Sequence, residues 1–434
     1  MKRNLKILLL AFLIGLVCYL WGYLSLRYDF FPSSLVHTTL AFIETHSNII
    51  LYDSASGGQR VGRSSQIDLI RSLPYLGVTE TVAKQESGVT ILKPDNIYPG
   101  YNLFTTGHDD EAFLVDNKGR LLHYWRCLRE KIIWETSDTL RPKYRGWRCF
   151  FAFKDLDLLV IYDYLGLAKI DRKSRLKWIY KGGCHHDLWV THNGDIYVLG
   201  SRHEKEAFYN DNIMISDYII VLNSSGKEQH RIRILDLILN SKYRFLLPSP
   251  EQMTGAYSLD ILHTNSIQVF DGNLQNKDPE LFKKGNILLS VRNLSTIFII
   301  DPEKKEIIWA WGPTNISFQH KARLLDNGNI LMFDNGLKRS RVMEVNPINQ
   351  KIIWQYEGKE GEPFFSDIYG SCERLPNGNT LIVLSKQQKI IEVTPEKEIV
   401  WTYTLPAAST FKAPVIYEVW RYPIDYFSPG LFSQ

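Results

Sequence analysis

The sequence predicts an all-β fold: a six-bladed β-propeller preceded by an N-terminal transmembrane helix and a short helical linker. Three observations predict it. A two-strand phrase recurs six times along the chain, a second hairpin carrying Asn-Gly precedes several copies, and an uncharged apolar run opens the sequence. The remaining composition is that of a folded protein, with 44% hydrophobic and 23% charged residues over 434 positions. A formal net charge of +4 with no dense Lys/Arg run excludes a dedicated nucleic-acid surface.

At the N-terminus, "MKRNLKILLLAFLIGLVCYLWGYLSLRY" carries Lys2, Arg3 and Lys6 and then no charge from Ile7 through Leu26. Such a run is long enough to cross a bilayer as a helix. No small-x-small cleavage site follows it, so residues 1–30 read as an uncleaved membrane anchor. Leu16-Val17 before Cys18 is a poor match to a lipid-attachment site. The positive-inside rule puts the first residues in the cytoplasm and the body on the extracytoplasmic, periplasmic side.

Residues 31–87 are mixed in character. "SSLVHTTLAFIETHSN" and "SSQIDLIRSLPYLG" place apolar residues at helical spacing after Ser-rich starts, which predicts short membrane-proximal helices joined by a polar linker. From Gly88 the texture changes to short β-type runs separated by Gly, Asn, Asp and Pro, so residues 88–434 form the predicted propeller.

The recurring phrase is a β-run, a turn and a second β-run: "EAFLVDNKGRLLHYW", "GLAKIDRKSRLKWIY", "YIIVLNSSGKEQHRI", "TIFIIDPEKKEIIWAW", "RVMEVNPINQKIIWQY" and "KIIEVTPEKEIVWTY". The turns centre on Asp116, Asp171, Asn223, Asp301, Asn346 and Thr394, mostly about 45–55 residues apart, the length of a four-stranded blade. The longer interval from Asn223 to Asp301 is assigned to an insertion, "VFDGNLQNKDPELFKKGN". Trp125, Trp178, Trp309, Trp354 and Trp401 recur in the second runs and read as core spacers between blades.

"THNGDI", "LDNGNI" and "LPNGNT" supply the other half of each blade, an inner hairpin turning at Asn-Gly. "APVIYEVWRYP" is the expected closing strand, because a ring must hide its first and last edges.

The first strand of each blade lines the central channel. His186 lies eight residues before Gly194 and His320 eight before Gly328, equivalent positions at the start of the innermost strands of blades three and five. His263 opens the corresponding strand of blade four. Arg292, seven residues after Gly285, folds back beside His263. Three imidazoles and a guanidinium around one axis make an anion site in which imidazole can attack or exchange a proton. His185 alternates to the other face of its strand and reads as packing or solvated, while His192 and His203 read as surface residues.

Cys127, Cys149, Cys184 and Cys372 remain in the body. An even count in an exported domain permits disulfides without saying which. No CxxC pair occurs, so a cysteine-based zinc site has little support.

At these residues the chain resembles a known family. "GVTILKPDNIYPGYNLFTTGHDDEAFLVDNKGRLLHYW", "HHDLWV", "DILHTNSI", "LLSVRNLSTIFIID" and "QHKARLLDNGNILMFDNG" resemble the bacterial arylsulfate sulfotransferase (arylsulfotransferase, ASST) family, from about Gly88 to Pro423. The resemblance implies a six-bladed β-propeller that moves a sulfuryl group from a phenolic sulfate donor to a phenolic acceptor without a nucleotide sulfate donor. It implies a ping-pong path through a sulfohistidine, with neither cofactor nor metal. On that resemblance the "QH" histidine, His320, is the nucleophile. Arg292 of "SVRN", His263 of "LHTN" and His186 of "HHD" are its catalytic companions, and Asn265 of "HTNS" contacts substrate.

The chain also departs from the family pattern. Classical members have an N-terminal β-domain and a closely spaced cysteine pair, where this chain has an anchor, a helical region and no such pair. Acceptor range and a homodimer stay open. The alternative is a non-catalytic membrane-anchored propeller binding an anionic ligand or partner protein through the same funnel. A quinone-cofactor dehydrogenase shares the Asp-turn-Trp phrase, but its eight blades, vicinal disulfide and calcium site are not legible here.

Overall fold

The computed structural model describes residues 87–132, 146–253, 259–359, 361, 364–406 and 415–432. The expected anchor, residues 1–30, and the expected linker up to residue 86 lie outside the described residues. Among those described, no helix is long and apolar enough to cross a membrane.

Six antiparallel sheets account for the strands, one per blade. The innermost strands of blades one to six are Ile416–Tyr422, Trp147–Ala152, Cys184–Val190, Thr264–Val269, His320–Leu324 and Ser371–Arg374. Each is followed outward by three strands that pair in sequence order, inner hairpin then outer hairpin. The ring closes at both ends of the chain. Ile416–Tyr422 supplies the inner strand of blade one beside Tyr101–Thr106, and Gly88–Leu92 adds a fifth, outermost strand to blade six against Ile399–Thr404. Closure pairs both terminal strands of the propeller into the ring. It is latched by Arg421, whose guanidinium meets the carboxylate of Glu392 in blade six and Asn102 Oδ1 at 2.7 Å, all fully buried.

Why the strands read as continuous apolar runs follows from the packing. Alternate residues of a strand point to opposite faces, and here both faces are covered. Leu158 and Val160 pack into the seam with blade one, Leu159 and Ile161 into the seam with blade three. Six such apolar seams separate the six blades. Burial on two faces selects β-branched and leucine side chains at successive positions rather than an alternating pattern.

The repeated tryptophan has a specific task. Trp125 Nε1 donates to Leu156 O, Trp309 to Pro347 O, Trp354 to Pro395 O and Trp401 to Asn117 O, at 2.8–3.0 Å, each reaching the next blade round the ring. Trp178 packs its ring against Gly226 of the following blade. The repeated Asp or Asn shapes the outer turn. Oδ1 of Asp116, Asp171, Asn223, Asp301 and Asn346 accepts backbone N–H groups two to four residues on, which is an Asx-turn.

The inner hairpins turn at a left-handed glycine: Gly194, Gly328 and Gly378 have φ of +87°, +85° and +89°. The N–H of that glycine bonds the carbonyl three residues back, as Gly328 N to Leu325 O, and Leu325 N bonds Asn329 O. This is a type I turn with a glycine bulge, so the asparagine before it needs no positive φ. Blade two makes the same turn with Leu156 at +66°.

The long interval between Asn223 and Asp301 has two parts, not one. The hairpin loop 270–286 is the insertion expected from the sequence. A second excursion, containing the helix Ile234–Leu239, runs between the outer strand of blade three and the inner strand of blade four. The four body cysteines are buried free thiols, so the disulfides that the sequence permits are not formed.

Candidate active site

The innermost strands of blades two to five are bulged near their channel ends. Register slips between Trp147 and Phe150, Cys184 and Leu188, Thr264 and Ser266, and His320 and Arg323. His186, His263 and Lys321 take left-handed backbone there, with φ of +55°, +48° and +50°. Non-glycine residues in that region cost about 1–3 kcal/mol each, and such outliers gather at functional sites. A bulge re-aims side chains, and here it turns imidazoles out of the sheets and toward one another.

All the residues expected from the sequence come together except in detail. His186 and His263 meet edge to face, ring centroids 4.6 Å apart. Arg292 N bonds His263 O, which places the guanidinium's strand end beside that histidine as the hairpin spacing required. The guanidinium lies over the Phe318 ring at 4.7 Å, two residues before His320, and its Nη1 donates to Asn293 Oδ1. Asn265 donates Nδ2 to Gln319 O at 2.8 Å, tying blade four to the residue before His320, while its Oδ1 is buried without a partner.

Hydrogen bonding fixes the state of His320. Its Nδ1 lies 2.7 Å from Asn335 Oδ1 and 2.9 Å from Phe318 O. Asn335 is oriented independently, because its Nδ2 donates to Ser366 O and Tyr369 O. Both partners of Nδ1 are therefore acceptors, so Nδ1 carries the proton and Nε2 keeps its lone pair. Burial, with the Arg292 charge and His263 adding to it, holds the pKa of His320 well below that of an ordinary histidine. The ring is neutral at neutral pH.

The other imidazoles are set differently. His263 Nδ1 lies 2.6 Å from Asp260 Oδ2, so the carboxylate accepts a hydrogen bond from Nδ1–H and orients the ring. Burial holds His186 well below the usual range, with His263 and Arg148 contributing. Its Nδ1 faces His185 Nδ1 at 2.8 Å. His185 is shifted the other way: its interaction with Asp217 outweighs burial and raises it. The Asp217 Oδ1 distance of 3.6 Å is an ion-pair contact rather than a hydrogen bond. The two rings share this contact, one donating to the other. Of the two readings of His185, packing holds. It is 1% exposed, stacked on Tyr164, and buttresses His186 rather than facing solvent.

Sequence reasoning missed Arg148, Asn335, Asp260 and a tyrosine wall. Arg148 stands in the innermost strand of blade two, yet its guanidinium is held between Tyr369 of blade six and Tyr417 of blade one, 4.6 and 4.7 Å from their ring centroids. It must therefore lie in the channel. Tyr369, Tyr417 and Val415 form an apolar cluster beside Ile368. The signal for Arg148 was present. It lies eight residues before Leu156, as His186 precedes Gly194 and His320 precedes Gly328, but a leucine at the turn hid the frame.

Below the site, Lys321 Nζ bridges Asp187 Oδ1 at 2.8 Å and Glu418 Oε1 at 2.6 Å, and Arg323 Nη2 meets Asp187 Oδ2 at 2.7 Å. Cys149, Asp187 and Glu418 approach one another closely enough to suggest a cation site. The ammonium of Lys321, 3.9 Å from Cys149 Sγ, already serves as that cation.

Compared with known proteins, residues 162–405 match the model of the family described as Arylsulfotransferase (ASST). A search of curated proteins finds no match. Among solved structures, a protein of unknown function from Bacteroides caccae aligns with TM-score 0.50 and 15% identity, over 74% of this chain and 98% of that one. A streptogramin B lyase aligns at 0.43 and 11%, over 80% and 97%. An inactive virginiamycin B lyase from Staphylococcus aureus aligns at 0.40 and 11%, over 76% and 89%. At these identities the first likeness concerns the fold alone.

Proposed function

The chain belongs to the arylsulfotransferase (ASST) family, and from that premise we propose that it moves a sulfuryl group from a phenolic sulfate ester to a phenol by ping-pong through a sulfohistidine at His320. The observation that carries this reading is the protonation of His320: Nδ1–H is held by two acceptors, and Nε2 keeps its lone pair in a neutral ring.

In the first half-reaction Nε2 attacks sulfur, the bond from sulfur to the aryl oxygen breaks, and its electron pair leaves on the phenolate. Positive charge that develops on the ring is met by Asn335 Oδ1 and Phe318 O at the Nδ1–H. Arg292 and His186 hold the sulfuryl oxygens, whose charge spreads in flight. A phenol has a pKa of about 10, so the released phenolate takes up a proton at neutral pH. His263, oriented by Asp260, delivers that proton from Nε2 and recovers one there from the acceptor phenol in the second half-reaction. Tyr369, Tyr417 and Val415 offer an apolar wall for the aryl ring. Asn265 Oδ1, an acceptor without a partner, suits the acceptor hydroxyl.

The uncharged run Ile7–Leu26 supports a membrane-anchored enzyme with its body on the periplasmic side. Purified protein incubated with 4-nitrophenyl sulfate and phenol tests the activity. Release of nitrophenol with parallel double-reciprocal lines supports it, and release no faster than from His320→Ala sinks it.

A further inference from the structure

Arg148 carries a feature the proposed mechanism does not use. Its Nε and Nη2 face Asp163 Oδ2 at 3.0 and 2.8 Å. A guanidinium is planar, so Nη1 points away from that carboxylate. Nη1 is buried without a hydrogen-bond partner, on a residue 6% exposed. An unpaired buried guanidinium N–H costs free energy unless something meets it. The groups around it are Asp163, which takes the hydrogen bonds of Nε and Nη2, the rings of Tyr369 and Tyr417, with the Tyr369 hydroxyl in reach, and His186.

Ring order adds a direction. In a closed ring of six blades, blade two faces blade five, so the strand that carries Arg148 stands opposite the strand that carries His320, and the guanidinium reaches into the channel between Tyr369 and Tyr417. Group transfer of this kind keeps the entering and leaving atoms roughly in line. With His320 Nε2 entering, the departing aryl oxygen is on the side of blade two.

Resting on the sulfuryl-transfer reading, we propose that Arg148 is a catalytic residue whose Nη1–H receives the phenolate oxygen as the sulfur–oxygen bond breaks. The electron pair of that bond goes to the phenolate oxygen, Arg148 binds it as an anion, and the proton arrives afterwards from His263. In the second half-reaction the same contact stabilises the acceptor as it ionises. Asp163 holds the guanidinium in plane and turns Nη1 outward. The pair presents the positive end of a dipole rather than a bare charge, which favours an oxyanion that appears only transiently over a permanently anionic ground state.

The test has two arms. In the first, donors with leaving phenols of increasing pKa are compared for wild type, Arg148→Met and Arg148→Lys. Arg148→Met is expected to lose about 10²-fold or more in kcat/KM with phenyl sulfate and only a few-fold with 4-nitrophenyl sulfate, steepening the leaving-group dependence, and Arg148→Lys recovers part of it. Equal losses along the series overturn the proposal, since a merely structural role moves every donor alike. In the second arm 4-nitrophenol alone, without donor, is titrated against wild type and Arg148→Met, and its phenolate absorption is followed with pH. The bound phenol is expected to ionise about tenfold more readily in wild type. Equal ionisation, or no binding to either, overturns the proposal. This arm needs no turnover, so a phenolate shift in a protein that transfers no sulfuryl group sinks the parent reaction and leaves the Arg148 contact standing.

Discussion

Asn335 Oδ1 lies 2.7 Å from His320 Nδ1, and the Asn335 amide nitrogen is committed to the carbonyls of Ser366 and Tyr369. One side chain thus sets both the tautomer and the direction of the ring across from the channel, from a position fifteen residues further along the chain. Asn335 closes the inner hairpin of blade five, so the hairpin that carries His320 also carries its orienting group.

Replacing Asn335 by Leu removes the acceptor while keeping bulk. The burst of nitrophenol from 4-nitrophenyl sulfate is expected to slow by about 10–10², the usual scale for lost orientation of a histidine by its outer partner. Melting of the variant within a few degrees of wild type, with an unchanged burst rate, contradicts the role.

The low pKa of His320 sets the acid side of the pH profile. Because burial and then Arg292 disfavour the imidazolium, His320 stays deprotonated as pH falls through 6.5 and loses activity only below it. The acid limb of kcat/KM for the donor is expected under pH 6.5. Arg292→Gln removes a neighbouring cation, so protonation becomes easier and the limb moves up in pH, while the plateau falls by about 10²–10³. A limb that stays put in Arg292→Gln contradicts the electrostatic coupling.

Two tryptophans at the same repeat position should differ. Trp125 is fully buried and its Nε1–H satisfies Leu156 O, whereas Trp354 is half-buried with a solvent-exposed bond to Pro395 O. Trp125→Phe is expected to destabilise by about 2 kcal/mol or more, and Trp354→Phe by under about 1 kcal/mol, read as urea midpoints at constant slope. Equal effects contradict the seam-bond account.

The Arg421–Glu392 latch joins blade one to blade six where the ring closes. Arg421→Met leaves a buried carboxylate unpaired and is expected to cost about 3–5 kcal/mol, while Arg421→Met combined with Glu392→Gln recovers much of it. Additive losses in the urea series contradict the pairing.

Much of this fold was legible because it repeats. The Asp-turn-Trp phrase predicted six outer hairpins, and its residues do the same job in most blades: the Asx-turn for Asp171, the bond to the next blade for Trp309. The offset of eight residues from a left-handed turn found His186 and His320. It missed Arg148 because Leu156 occupies the left-handed position without being glycine. His185 was read as packing or solvated, and packing holds; its contact with His186 was out of reach because strict alternation fails at a bulge, where three residues of its strand lie against one of its neighbour. Asn335 stands where the repeat could have found it, seven residues after Gly328 as Arg292 follows Gly285, whereas Asp260 has no such offset from a turn glycine. Their meaning comes from contacts with His320 and His263 that only the folded chain brings about.

The central claim is a covalent bond between sulfur and His320 Nε2. Wild-type protein mixed with 4-nitrophenyl sulfate and no acceptor, quenched and weighed intact, is expected to release a burst of one nitrophenolate per active chain. It is also expected to carry one sulfuryl group, mapping to the peptide that contains His320 and discharged by added phenol. No burst, or an adduct that persists in His320→Ala, contradicts it.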